Sequence, residues 1–135
     1  MKCQMDFTAS TGDSYKIAMY DSDATLAAAT TDYSTSEEIT NTSGTAYTAG
    51  GEALTNVTPV SSSTTAYTDF ADVSWTTASF TANAALIYNT TTGTGTSTTD
   101  AVAAIAFGGD KTATAGTFTI QFPAAAASTA ILRIA

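Results

Sequence analysis

Thr117-Phe118-Thr119-Ile120-Gln121-Phe122 is the most regular alternation in the chain, with three large apolar side chains separated by three polar ones. Successive side chains of an extended segment point to opposite faces, so this pattern predicts a half-buried β-strand. Tyr15-Lys16-Ile17-Ala18-Met19-Tyr20 repeats it, with Tyr15, Ile17 and Met19 on one face. Ala71-Asp72-Val73-Ser74-Trp75 does so with Ala71, Val73 and Trp75. Residues 79–88 extend the series, placing Phe80, Ala82, Ala84, Leu86 and Tyr88 on a common face. Residues 101–107 and 130–134 are apolar at both parities, which predicts central strands or strands covered by a neighbour. Residues 54–60 form a weaker candidate, and residues 2–8 an edge strand or an arm.

The runs are separated by turn formers. Ser43-Gly44 and Gly50-Gly51 bracket a turn-rich segment, Thr92-Gly93-Thr94-Gly95-Thr96 is a polar loop, and Gly108-Gly109-Asp110-Lys111 reads as a turn joining two strands. Pro123 closes the strand that contains Phe118. A single helical turn is conceivable at residues 124–127, and another at 23–29 with Asp23 as its N-cap. Neither changes the class. About eight short strands at regular spacing predict an all-β, single-domain antiparallel β-sandwich over residues 1–135, jelly-roll or immunoglobulin-like, with residues 1–11 as a possible N-terminal arm or edge strand.

Composition agrees. About a third of the 135 residues are Ser or Thr and only 12% are charged. Threonine's β-branched carbon favours strands over helices. The net charge of −8 repels phosphate backbones and anionic lipid, so no nucleic-acid partner and no membrane partner are expected. No apolar run is long enough for a membrane-spanning helix. No apolar signal core follows Met1-Lys2, so a protein made in the cytosol, or one trimmed after export, is expected.

The chemistry-bearing residues are few. There is no histidine, which removes the commonest general base and metal ligand together. The single cysteine, Cys3, forms no internal disulfide and supports no zinc cluster. No phosphate-binding glycine loop and no nucleophile elbow is present. A carboxylate pair drawn from Glu37, Glu38 and Glu52 is the remaining enzymatic option, and one tryptophan gives a sugar cleft poor support. Asp21 and Asp23 offer oxygen ligands for a hard cation but lack the other acids and the glycine of a calcium loop, so exposed turn acids are the preferred reading. Asn41, Asn56 and Asn89 open glycosylation triplets that a threonine-rich chain produces by chance. Trp75, Phe80 and Tyr88 are read as core aromatics ahead of a ligand pocket. No enzyme, no cofactor and no metal are expected.

One resemblance is carried by an ordered set of segments: Tyr15-Lys16-Ile17-Ala18-Met19-Tyr20, Tyr47-Thr48-Ala49-Gly50-Gly51-Glu52-Ala53-Leu54, Phe70-Ala71-Asp72-Val73-Ser74-Trp75, Ala84-Ala85-Leu86-Ile87-Tyr88-Asn89, Phe107-Gly108-Gly109-Asp110-Lys111-Thr112, Phe118 to Pro123 and Ile131-Leu132-Arg133-Ile134. In this order they resemble small structural proteins of tailed-bacteriophage virions, of the capsid decoration (cement) type. The resemblance implies a non-enzymatic protein on the outer surface of the head, bound to the major capsid protein and to itself as a homotrimer. A tail or fibre component, with a receptor- or glycan-binding surface around Tyr33, Tyr47 and Tyr67 near Glu52 and Asn41, is the alternative. A bacterial surface or pilus-like subunit is a third. Capsid docking is assigned to Lys2, Met5 and Phe7, whose competing reading is an ordinary first strand.

Overall fold

The computed structural model describes residues 5–40, 46–91 and 98–135. Seven strands are found among them, with no helix: β1 (Tyr15–Tyr20), β2 (Glu52–Leu54), β3 (Asn56–Ser62), β4 (Thr65–Phe70), β5 (Val73–Asn89), β6 (Ala101–Ile120) and β7 (Leu132–Ile134). They form two antiparallel sheets, ordered β2-β1-β5-β6 and β3-β4-β7. The architecture is an all-β sandwich, as the alternation predicts.

Three expectations change in detail. The runs at 71–75 and 79–88 fall in one strand, β5, from Val73 on, and those at 101–107 and 117–122 in another, β6, up to Ile120. Gly108-Gly109 therefore does not reverse the chain. Between the pairs Ala82↔Lys111 and Ala84↔Ala106, β5 advances two residues and β6 advances five. The excess on β6 is thrown out as a bulge, and the two glycines supply its positive φ angles of 71° and 136°. Neither candidate helical turn forms where expected: Asp23 donates its N–H to Asp21 Oδ1 in place of capping a helix, and the bond from Ala130 N–H to Ala126 O closes one isolated turn over 126–130 and not 124–127. Finally, residues 101–107 lie at the edge of their sheet, not at its centre.

The register shifts decide which side chains reach the core. Between Trp75↔Phe118 and Ala78↔Gly116, β5 carries one extra residue, and Thr77 there has φ 55°. Core positions along β5 consequently run Val73 and Trp75, then Ala78, Phe80 and Ala82, then Ala85 and Ile87. The parity changes twice. Leu86 and Tyr88, predicted to share a face with Phe80, lie on the opposite one, in a second cluster with Ala18 and Tyr20. The β1–β5 half of the sheet is thus buried on both faces, and Ala24, Leu26 and Tyr33 cover the second.

The main core lies between the sheets. Trp75 meets Phe80 edge-on at 6.2 Å between ring centroids, Phe80 lies 4.8 Å from Phe118, and Phe70 of β4 packs 5.6 Å from Tyr15 of β1. Such ring pairs add stabilisation beyond area burial. On the solvent side of the β5–β6 ribbon, Ser74 and Thr119 share a 2.8 Å hydroxyl bond, as do Thr81 and Thr112. The threonines of this ribbon act as cross-strand pairs.

Candidate functional site

Glu38 is a buried polar group held by several partners. It is 6% exposed, and it follows Glu37 directly in the turn that closes against β1. Its Oε1 accepts hydrogen bonds from the Tyr47 hydroxyl and the Gly50 N–H, both at 2.7 Å, and its Oε2 accepts one from the Tyr33 hydroxyl at 2.6 Å. Tyr47 in turn accepts from the Met19 N–H at 2.9 Å. Tyr33 stacks on Tyr88 at 4.5 Å, and Tyr88 donates to Gly50 O at 2.6 Å. Gly51 lets this loop approach: its φ is 70°, and a Cβ there would overlap the Ile17 carbonyl. Every buried side-chain nitrogen and oxygen among the described residues has a partner.

Burial pushes the Tyr33 and Tyr47 hydroxyls well above the ordinary tyrosine range, and their hydrogen bonds to Glu38 push further. Tyr20 and Tyr88 are pushed up to about 12, chiefly by burial, with the Glu38 charge adding to it. All four stay protonated at neutral pH. A buried carboxylate held by three donors and ringed by neutral phenols is a clasp between loops.

The other acids are arranged differently. Carboxylate oxygens of Asp21, Asp23 and Glu37 lie within 4.8 Å of one another at a largely exposed turn. That spacing suits oxygen ligands of a hard cation, and Glu37 is the member the sequence gave no reason to add. Glu52 is exposed on β2, away from any such grouping. Asp13 is buried: its Oδ2 accepts from Asn89 Nδ2 at 2.8 Å and from the Asp6 N–H at 3.0 Å. Asn56 Nδ2 donates to Asp13 O at 3.0 Å, so Asn56 and Asn89 both serve the interior.

A further feature is apolar. A groove of about 540 Å³ opens on the flank of the sandwich, lined by Ile105, Phe107, Phe118, Ile120, Phe122 and Ile131, with Lys111 among its polar members. Of the six, only Phe118 is buried; the others are half-exposed. The core is left uncovered here because β7 is three residues long and the segment from 121 to 131 carries no strand.

The sequence candidates distribute as follows. Phe7 stacks on Tyr15 at 4.7 Å and meets Phe70 edge-on, so it packs against the main core. Met5 is half-buried beside it in the chain, in a segment that forms no strand over residues 5–8, and Lys2 lies outside the described residues. Trp75 and Phe80 are core, and Tyr88 is on the other face. Of the proposed glycan surface, Tyr33 and Tyr47 do come together, but around Glu38 in the interior. Tyr67 is half-buried on β4, and Asn41 lies outside the described residues. The groove went unseen because its members come from 105–107, 118–122 and 131, and no sequence window joins them.

Comparison of the chain with protein-family models, with curated proteins and with solved structures finds no match.

Proposed function

We propose that this chain is a non-catalytic structural protein of a tailed-bacteriophage virion, a capsid decoration (cement) protein that binds the major capsid protein on the outside of the head. The ordered segments described above supply the virion assignment. The observation that carries the docking role is the half-exposed apolar groove beside Phe107 and Phe122. Contiguous exposed apolar surface marks interaction sites, and a shell that presents many equivalent positions converts one modest contact per copy into a large total. Lys2 and Met5 make a second contact, and Phe7 ties their segment to the core. The absence of histidine and the burial of Glu38 under three donors support the non-catalytic reading.

Particle copy number tests the location: hundreds per particle place the protein on the head, and a few place it in the tail or fibre. Particles lacking the protein are expected to release their contents at lower temperature or lower salt than complete ones. Adding back Phe107→Ser protein is expected not to restore them. Equal robustness with and without the protein removes the cement role.

A further inference from the structure

The groove beside Phe107 lies on the inside of a bend. On a straight strand Ile105 and Ile120 would stand roughly 50 Å apart. Yet both line the groove, and Phe107 meets Phe118 at 6.5 Å between ring centroids. β6 therefore folds back on itself between them, where Gly108 and Gly109 take φ angles of 71° and 136° and Ala115 takes 47°. The bend brings apolar side chains from both halves of the strand to one opening. A lysine stands on the same face. Lys111 pairs with Ala82, and cross-strand partners project to the same side of a sheet. Ala82 is fully buried in the main core, so the register gives Lys111 a core-facing position that stays exposed because the groove is open. Among the described residues that line the groove it is the sole charged one, in a chain with twelve acids and four bases. It has no carboxylate partner among the described residues. Asp110, its neighbour in sequence, lies outside the lining and accepts a bond from Asn83 Nδ2 at 2.8 Å.

We infer that the groove receives an extended segment of the partner protein in which an aspartate or glutamate stands between apolar residues. Its carboxylate pairs with Lys111, and its apolar neighbours lie on Phe107, Ile120 and Phe122. The inference rests on the docking role proposed above and names the chemistry of the segment that fills it. Charge complementarity selects the anion. A cationic segment is drawn to the chain as a whole, which carries −8, but not to this opening, where the local charge is positive. Openness selects a polypeptide over a free small molecule. A small-molecule pocket encloses most of its ligand. Here Ile105, Phe107, Ile120, Phe122 and Ile131 are half-exposed and cover only one side of an occupant. A segment held by its own protein has its other side covered already. Once it is seated, the apolar surroundings lower the local dielectric and strengthen the ion pair over one in open water.

Two measurements on the full chain test this. In the first, the purified protein is titrated with decanoate, a carboxylate on an apolar chain, and with decyltrimethylammonium, its cationic counterpart. The NMR signals of Phe107, Lys111 and Ile120 are followed. Decanoate is expected to move them at lower concentration than the cation does. Lys111→Met keeps an apolar stem at an exposed position, so its circular-dichroism spectrum should be unchanged. It is expected to weaken decanoate binding roughly threefold to fivefold, the worth of a partly exposed ion pair. In the second, particles lacking the protein are mixed with wild-type, Lys111→Met or Lys111→Glu chains. Lys111→Glu is expected to weaken attachment roughly tenfold, through like-charge repulsion, and Lys111→Met by less. Equal binding of the two amphiphiles, or decanoate binding that Lys111→Met leaves unchanged, overturns the inference, because Lys111 then only lays its stem on apolar surface. Particle attachment indifferent to Lys111, with decanoate binding dependent on it, also overturns it and makes the groove a site for a free amphiphile. If the wild-type chain itself does not attach to the particles, the virion reading fails, and the decanoate titration alone decides the chemistry of the groove.

Discussion

Around Glu38 the chain buries a carboxylate and gives it three donors within 2.7 Å. Along the β6 flank it leaves apolar side chains half covered. The first region is polar and closed; the second is apolar and open. A buried charge is tolerated only when its partners are complete, because each unmet group costs its desolvation. An apolar surface carries no such demand and can stay exposed until something covers it. Closure at Glu38 therefore belongs to folding, and the openness at β6 is where the proposed association would act.

The largest test of this contrast is Glu38→Ala. It strands two tyrosine hydroxyls and the Gly50 N–H, and is expected to cost roughly 3–5 kcal/mol in urea denaturation. A loss below about 1 kcal/mol would mean that the clasp is not structural. Gly51→Ala comes next, at about 2–3 kcal/mol, since the new Cβ meets the Ile17 carbonyl at a positive φ. Alkali should act on the same region. Tyr20 and Tyr88 titrate at about 12 in the folded chain, against about 10 when unfolded. The unfolded state loses its protons first, so stability is complete below about pH 10 and falls as pH rises towards about 12. The tyrosinate absorbance contributed by Tyr20 and Tyr88, taken as the difference from a variant with Tyr20→Phe and Tyr88→Phe, should rise together with unfolding over that window. If it rises at pH 10 with the fold intact, the tyrosines are not held as described.

On the open side, Phe107→Ser should cost only about 1 kcal/mol, because the ring is already half-exposed. Its effect on docking should exceed its effect on stability, and a loss as large as that of Glu38→Ala would make the flank part of the core. The smallest effect is expected at Glu37, next to Glu38 but exposed, with φ 60° and two neighbouring carboxylates. Glu37→Asn fits that backbone and removes a like charge, and is expected to add a few tenths of a kcal/mol. The gain should shrink at high salt as the repulsion is screened.

Sequence alternation was sufficient for the class, because Phe118, Ile120 and Phe122, or Tyr15, Ile17 and Met19, reveal a half-buried strand whatever it pairs with. It also placed Trp75 and Phe80 in the core. It misplaced Leu86 and Tyr88, since one register shift moves every later side chain to the other face. Nothing local to Glu38 distinguishes it from Glu37: one is buried and one exposed because Tyr33, Tyr47 and Gly50 arrive from elsewhere in the chain.

What the amino acids determined alone is the extended backbone, the threonine-lined exterior, and the places where glycine must take a positive φ. Whether the chain reverses at Gly108-Gly109 or bulges and runs on was decided by tertiary structure, because that local backbone suits both and only pairing with β5 selects one. The same holds for the place of β6 at the edge of its sheet. An edge is a statement about which strand is missing from one side, and a single strand's sequence does not contain its neighbours.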